Sequence, residues 1–90
     1  MINSVVIKPN DNVATATEAL KAGDIGRYLL NGVMAEVTVL EDISQYHKYA
    51  VKDVEKGGYV YKYGEKIGRA TADIKCGMYV HVHNVESERA

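Results

Sequence analysis

Ninety residues make one domain of modest size, which buries about two thirds of the surface its unfolded chain exposes. A formal charge of -1 from interspersed acids and bases excludes a basic footprint for nucleic acid or an anionic membrane surface. A single cysteine excludes an internal disulfide, and no stretch approaches the roughly 20 apolar residues that span a bilayer. Met1 is followed by no basic-then-apolar leader, so the expectation is a cytoplasmic protein. Tyrosine supplies every aromatic, seven in all, which suits amphipathic strands and protein interfaces.

Ser4 to Ile7 is a short β-branched run closed by Pro9, and it reads as a first strand. Asn10, Asp11 and Asn12 form a turn cluster. Asn12 is placed to cap a short helix over Val13 to Lys21, where Ala14, Ala16, Ala19 and Leu20 favour helix until Gly23 ends it. Ile25 to Leu30 and Glu36 to Leu40 are two further strand candidates joined through Asn31-Gly32. Both turn residues tolerate the positive φ that a type I′ hairpin demands. Met34 and Ala35 are less strand-like and suggest a longer loop. Tyr59 to Tyr63 and Tyr79 to His83 are strand-like runs flanking a glycine-punctuated connection, and Val85 to Ala90 reads as a polar, frayed tail.

A weak internal repeat ties these pieces together. Ala16, Leu20 and Gly23 have the spacing Ala-x3-aliphatic-x2-Gly, which returns as Ala50, Val54, Gly57 and as Ala70, Ile74, Gly77. Each copy predicts an aliphatic tucked into the core and a glycine corner that launches the next strand. The irregular distance between copies excludes a solenoid. The expectation is a mainly β domain over residues 1–90, a barrel-like or folded-over sheet with one short helix and several helical turns.

Chemistry concentrates at the histidines. If Tyr79 to His83 is a strand, His81 and His83 share one face while Val80 and Val82 share the other. Two imidazoles on one face can ligate zinc or iron, with His47 as the third donor. Set against that, histidine is an ordinary polar residue on surface strands, and a lone His before a turn is more often hydrogen-bonded structure than ligand. Lys62 is either a strand-surface charge or a cation for the carboxylate of a hydroxy acid. Cys76 has no activating context and reads as a small turn residue. The acidic doublets Glu41-Asp42 and Glu86 with Glu88 read as solvated. Gly64 and Gly68 precede no long helix, which argues against a nucleotide loop.

Three blocks then act as a set: His47-Lys48-x-Ala50, Lys62-Tyr63-Gly64-x-x-Ile67-Gly68-x-Ala70, and Ile74-x-x-Gly77-x-x-Val80-His81-x-His83-Asn84. With Ile7-x-Pro9-x-Asp11-Asn12-Val13-Ala14 before them, they resemble the SAF-type domain of the altronate and galactarate dehydratase family, which includes the small subunit of sulfolactate sulfo-lyase. The resemblance implies a β-clip fold and a much larger catalytic subunit as partner, with this chain as the small subunit or an excised amino-terminal domain. It also implies a hydro-lyase, inactive without that partner, that removes water from an aldonic or aldaric acid such as altronate or galactarate, or sulfite from sulfolactate. A divalent metal, Fe(II) or Mn(II), is implied for the complex. On this reading His47, His81 and His83 face the partner's active site as metal ligands or as acid and base groups, while Lys62, Tyr63 and Asn84 hold substrate or the subunit contact. Two positions depart from the family pattern: Tyr46 stands where relatives tend to have glycine, and Tyr49 where an aliphatic is common. The alternative is a non-catalytic SAF module that binds carbohydrate or protein without metal. Short β edges and many tyrosines also allow a homo-oligomer.

Overall fold

A computed structural model describes residues 1–87 of the chain. Nine short strands make it up: β1 (Ser4–Val5), β2 (Val13–Ala16), β3 (Ile25–Leu30), β4 (Val33–Thr38), β5 (Lys48–Ala50), β6 (Tyr59–Lys62), β7 (Glu65–Ala70), β8 (Tyr79–Val80) and β9 (Val85–Ser87). They form three antiparallel sheets, of order β1-β2-β5-β8, β3-β4 and β6-β7-β9. The mainly β, folded-over architecture is as expected, and no helix occurs among the described residues.

The expected helix over Val13 to Lys21 is the clearest correction. Its first four residues form β2, pairing with β1 on one side and β5 on the other. Alanine favours helix in isolation, but here small side chains are needed because both faces of the strand are covered. Ala14 and Ala16 pack into one apolar cluster with Val6, Leu20, Tyr28, Val39, Ile43 and Tyr49. Val13 points the other way, into a second cluster with Ala50, Val54, Val60, Ala70, Ile74 and Val80. A sheet buried on both faces reads as an apolar run without alternation, and tertiary packing overrides helix propensity. Asn12 caps no helix. Its side chain bonds the backbone of β6, accepting from Tyr61 N–H at 2.8 Å and donating to Tyr59 C=O at 2.9 Å.

Both longer hairpins close in two residues. Asn31 and Gly32 take φ of 52° and 77°, Tyr63 and Gly64 take 56° and 81°, and the flanking residues pair directly as Leu30 with Val33 and Lys62 with Glu65. Such turns match the right-handed twist of the strands they join. Pairing therefore begins at Val33, and Met34 and Ala35 belong to β4 after all. The stretch after Gly64, expected as a connection, is β7. The tail is also shorter than expected, since Val85–Ser87 adds a strand to β7; residues 88–90 lie outside the described residues.

The repeat governs how the sheets are joined, and it has a fourth member. Val39, Ile43 and Tyr46 have the same spacing as the other three copies, with Tyr46 at φ 67° in the glycine position. The copies work in exchanging pairs. In one, Leu20 and Ile43 bond each other's backbone in both directions at 2.8–2.9 Å, Gly23 N–H donates to Val39 C=O and Tyr46 N–H to Ala16 C=O. In the other, Val54 and Ile74 do the same at 2.8 Å, with Gly57 N–H donating to Ala70 and Gly77 N–H to Ala50. Each pair seats its two aliphatics in one apolar cluster, so the sheet β1-β2-β5-β8 stands between two small cores. An aspartate just before the aliphatic reaches across in three copies: Asp42 accepts from Ala22 N–H, Asp53 from Cys76 N–H and Asp73 from Lys56 N–H. Ala19 holds that place in the first copy. The copies are turns closed by long-range bonds, not the helical turns expected.

Candidate functional site

The exchange of corners decides where the histidines go. Tyr46 ends one corner, so His47 directly precedes β5, and antiparallel pairing of Lys48 with Val80 brings His47 beside His81 just past β8. The two imidazoles stack with ring centroids 5.0 Å apart. Between the segments stands Tyr79, whose ring lies 5.7 Å from His47, 5.5 Å from His81 and 5.4 Å from His83, near parallel to each. The Tyr79 hydroxyl is hydrogen-bonded to His47 Nδ1. With the phenol donating, the proton of a neutral His47 sits on Nε2. Tyr79 was not among the expected site residues, although its i, i+2, i+4 relation to His81 and His83 was legible.

The strand expected over Tyr79 to His83 stops at Val80. Residues 81–84 turn instead, and Val82 is 82% exposed and does not lie behind the histidines. The turn is imposed from both ends: β8 must hold β5, while Val85 must pair with Ala70. Asn84, 5% exposed, makes this reversal by accepting from His81 N–H at 3.0 Å and donating to Tyr79 C=O at 2.8 Å. One donor and one acceptor of its amide thus shape the turn. His81 and His83 still meet, but through Tyr79 and not through strand alternation. Glu41, expected to be a solvated carboxylate, accepts from Tyr79 N–H at 2.9 Å and so steadies the centre of the cluster.

Lys62 and Tyr63 arrive from the β6–β7 hairpin. Lys62 Nζ lies 4.9 Å from the Tyr63 ring centroid, and the Tyr63 hydroxyl reaches Thr15 Oγ1 at 3.4 Å, next to Lys48 in the β2–β5 pairing. This hairpin is clamped by Asp11, which is 2% exposed and accepts from Gly64 N–H at 2.7 Å and from Ile7 and Lys8 N–H at 3.1 Å. Burial pushes the Asp11 carboxyl up, but donation from the Gly64, Lys8, Ile7 and Tyr63 backbone outweighs it and holds the group below the usual value. A sequence reading gives Asp11 only as part of a turn cluster; a buried carboxylate serving three amides needs the distant hairpin to be seen.

The electrostatics of the patch are cationic. His81 is held below the ordinary imidazole value by desolvation and by His47, Lys48 and His83 around it. Lys48 is likewise lowered, by burial and then by Lys62. Cys76 lies apart, its thiol pushed up by burial and by Asp53, which fits a turn residue and not a nucleophile. As for metal, no group of three or more His, Cys, Asp or Glu side chains among the described residues is placed to hold an ion. The rings are stacked face to face and His47 Nδ1 is taken by Tyr79, so the donors of this chain do not by themselves fit a metal centre. Among the described residues, no helix is long and apolar enough to cross a membrane.

Comparison with known proteins matches the sequence to a family. Residues 2–88 match the profile described as the altronate/galactarate dehydratase SAF domain. Altronate dehydratase of Escherichia coli (strain K12) is 40% identical over 77 residues, covering 86% of this chain and 15% of that protein. Altronate dehydratase of Bacillus subtilis (strain 168) is 34% identical over 87 residues, covering 97% of this chain and 17% of that protein. The (2R)-sulfolactate sulfo-lyase subunit alpha of Paracoccus pantotrophus is 40% identical over 53 residues, covering 59% of this chain and 79% of that subunit. The match thus takes in only a small fraction of the two dehydratases but most of the separate lyase subunit. With the profile spanning nearly every residue, the chain belongs to the altronate/galactarate dehydratase SAF domain family.

Proposed function

We propose that this chain is the SAF part of a cytoplasmic lyase that dehydrates a sugar acid of the altronate or galactarate type, working against a large catalytic part of the same enzyme. The observation that carries the reading is the cluster of His47, His81 and His83 about Tyr79. Elimination from a hydroxy acid needs a base for the proton on the carbon next to the carboxylate. It also needs an acid for the hydroxyl leaving the neighbouring carbon. As the C–H bond breaks, its electrons form the double bond, the C–O bond opens, and the protonated leaving group departs as water. A neutral His81 suits the base, and its depressed pKa keeps it unprotonated at neutral pH. His47 suits the acid in its imidazolium form, with Nδ1–H donating to the Tyr79 hydroxyl and Nε2–H free to protonate the leaving hydroxyl.

The Fe(II) or Mn(II) expected from the family resemblance would take its ligands chiefly from the large part, and none of these steps is routed through it. Sulfolactate is the substrate to test beside the sugar acids, since its lyase subunit shares the same small piece. Mixing the chain with a large family partner and following release of water-loss product or sulfite tests the reading. Activity should require both parts, and His81→Ala should lower kcat by at least roughly tenfold with the circular dichroism spectrum unchanged. A complex of His81→Ala that turns over as well as the parent would remove the catalytic assignment and leave a non-catalytic binding module.

A further inference from the structure

Lys48 plays no part in the reaction just described, yet it occupies an unusual place. It opens β5 between Thr15 and Val80, and its half-buried side chain lines a cleft of about 200 Å³. Ile67, Val80 and Val85 give that cleft an apolar floor, and His81 and Ser87 stand with Lys48 at its polar edge. Lys62 comes to the same side through Tyr63: its Nζ lies 4.9 Å from the Tyr63 ring centroid, and the Tyr63 hydroxyl reaches Oγ1 of Thr15, the residue paired with Lys48, at 3.4 Å. Neither lysine has an acidic partner among the described residues, where the ion pair is Arg27 with Glu36 on the β3–β4 hairpin.

Two like charges brought to one side of the molecule repel, and an anion set between them removes the repulsion and gains charge-assisted hydrogen bonds. The clamp of Asp11 on Gly64 fixes the turn that follows Lys62, and strand pairing fixes Lys48, so the backbone that carries each lysine is held in place. We propose that Lys48 and Lys62 form the seat for the carboxylate of a small hydroxy acid, whose carbon chain lies over the apolar cleft with His81 beside it. The identity of the acid rests on the lyase reading; the seat itself does not.

The test uses the chain with 13C-labelled lysines, titrated at constant ionic strength with potassium galactarate, L-tartrate and the uncharged polyol galactitol. The Lys48 and Lys62 side-chain signals should shift saturably with both acids and stay fixed with galactitol, while Lys21 and Lys56 stay fixed throughout. Lys48→Met and Lys62→Met should each weaken the acids by about tenfold, the worth of one charged hydrogen bond. The proposal is overturned if all lysines shift alike, if both variants bind as the parent does, or if the two signals move only when the large part is added. The last outcome would mean that a protein carboxylate fills the seat. Acid binding without lyase activity in the mixed enzyme would sink the proposed function and leave the seat standing. Lyase activity with an unchanged KM in both variants would do the reverse.

Discussion

The two exchanging corner pairs are built to one plan and differ most at one corner glycine and one aspartate. The pair around Val54 and Ile74 is regular: glycine at both corners, φ 88° and 96°, and an aspartate reaching across in each direction. The pair around Leu20 and Ile43 has Tyr46 for one glycine and Ala19 for one aspartate. Both departures fall on the side that launches His47. A left-handed tyrosine, 69% exposed and adjacent to a site histidine, is a residue held at a conformational cost, and such costs gather where a surface is used. The regular pair keeps to the plan throughout, and the irregular pair departs from it beside His47.

Removing the paired aliphatics should have the largest effect and should treat the two halves alike. Ile43→Ala and Ile74→Ala each empty a site only 1% exposed, and each should cost about 2–5 kcal/mol in chemical denaturation. A loss confined to one of them would break the equivalence of the halves. Next come the aspartates. Asp73→Ala strands the Lys56 amide and should cost about 1 kcal/mol, whereas Ala19→Asp supplies the missing reach toward Gln45 N–H and should restore a similar amount. Smaller again, Tyr46→Gly should raise the denaturation midpoint by the equivalent of about 1 kcal/mol or less, since relief of the left-handed backbone is partly offset by glycine entropy. The same variant should lose turnover in the assembled enzyme if the strain serves the site.

The smallest effect concerns pH. His81 titrates below a free imidazole, so the folded state resists the proton that the unfolded chain accepts. Stability from this group is fully present above the unfolded value near 6.5 and is lost as pH falls through the lower folded value. A denaturation series from pH 8 to pH 5 should therefore decline more steeply for the parent than for His81→Gln. Removing a neighbouring charge with Lys48→Met should raise the His81 midpoint in an NMR titration.

Much of the scaffold was legible because its signals are local. Asn31-Gly32 specifies its hairpin by itself, and three of the four corners show as Ala-x3-aliphatic-x2-Gly. The fourth was hidden because Val39 stands in the alanine position and Tyr46 takes a glycine's conformation without being glycine. Val13 to Ala16 misled for a different reason: alanine between two cores is a packing demand, and no window along the chain reports what covers its other face. The three histidines were identifiable, but the grouping around Tyr79 depends on Lys48 pairing with Val80, a contact between segments 32 residues apart. Asn84 was visible as part of a block, and its work as the brace of the turn could be seen only with both amide bonds in place.

The most direct measurement is a double-substitution cycle on kcat/KM in the assembled two-part enzyme, using His47→Ala, His81→Ala and the pair. If the stacked imidazoles act as one acid and base unit, each single change lowers the rate by at least roughly tenfold and the double change lowers it little further. Losses that simply multiply, or no loss at all, would contradict that account.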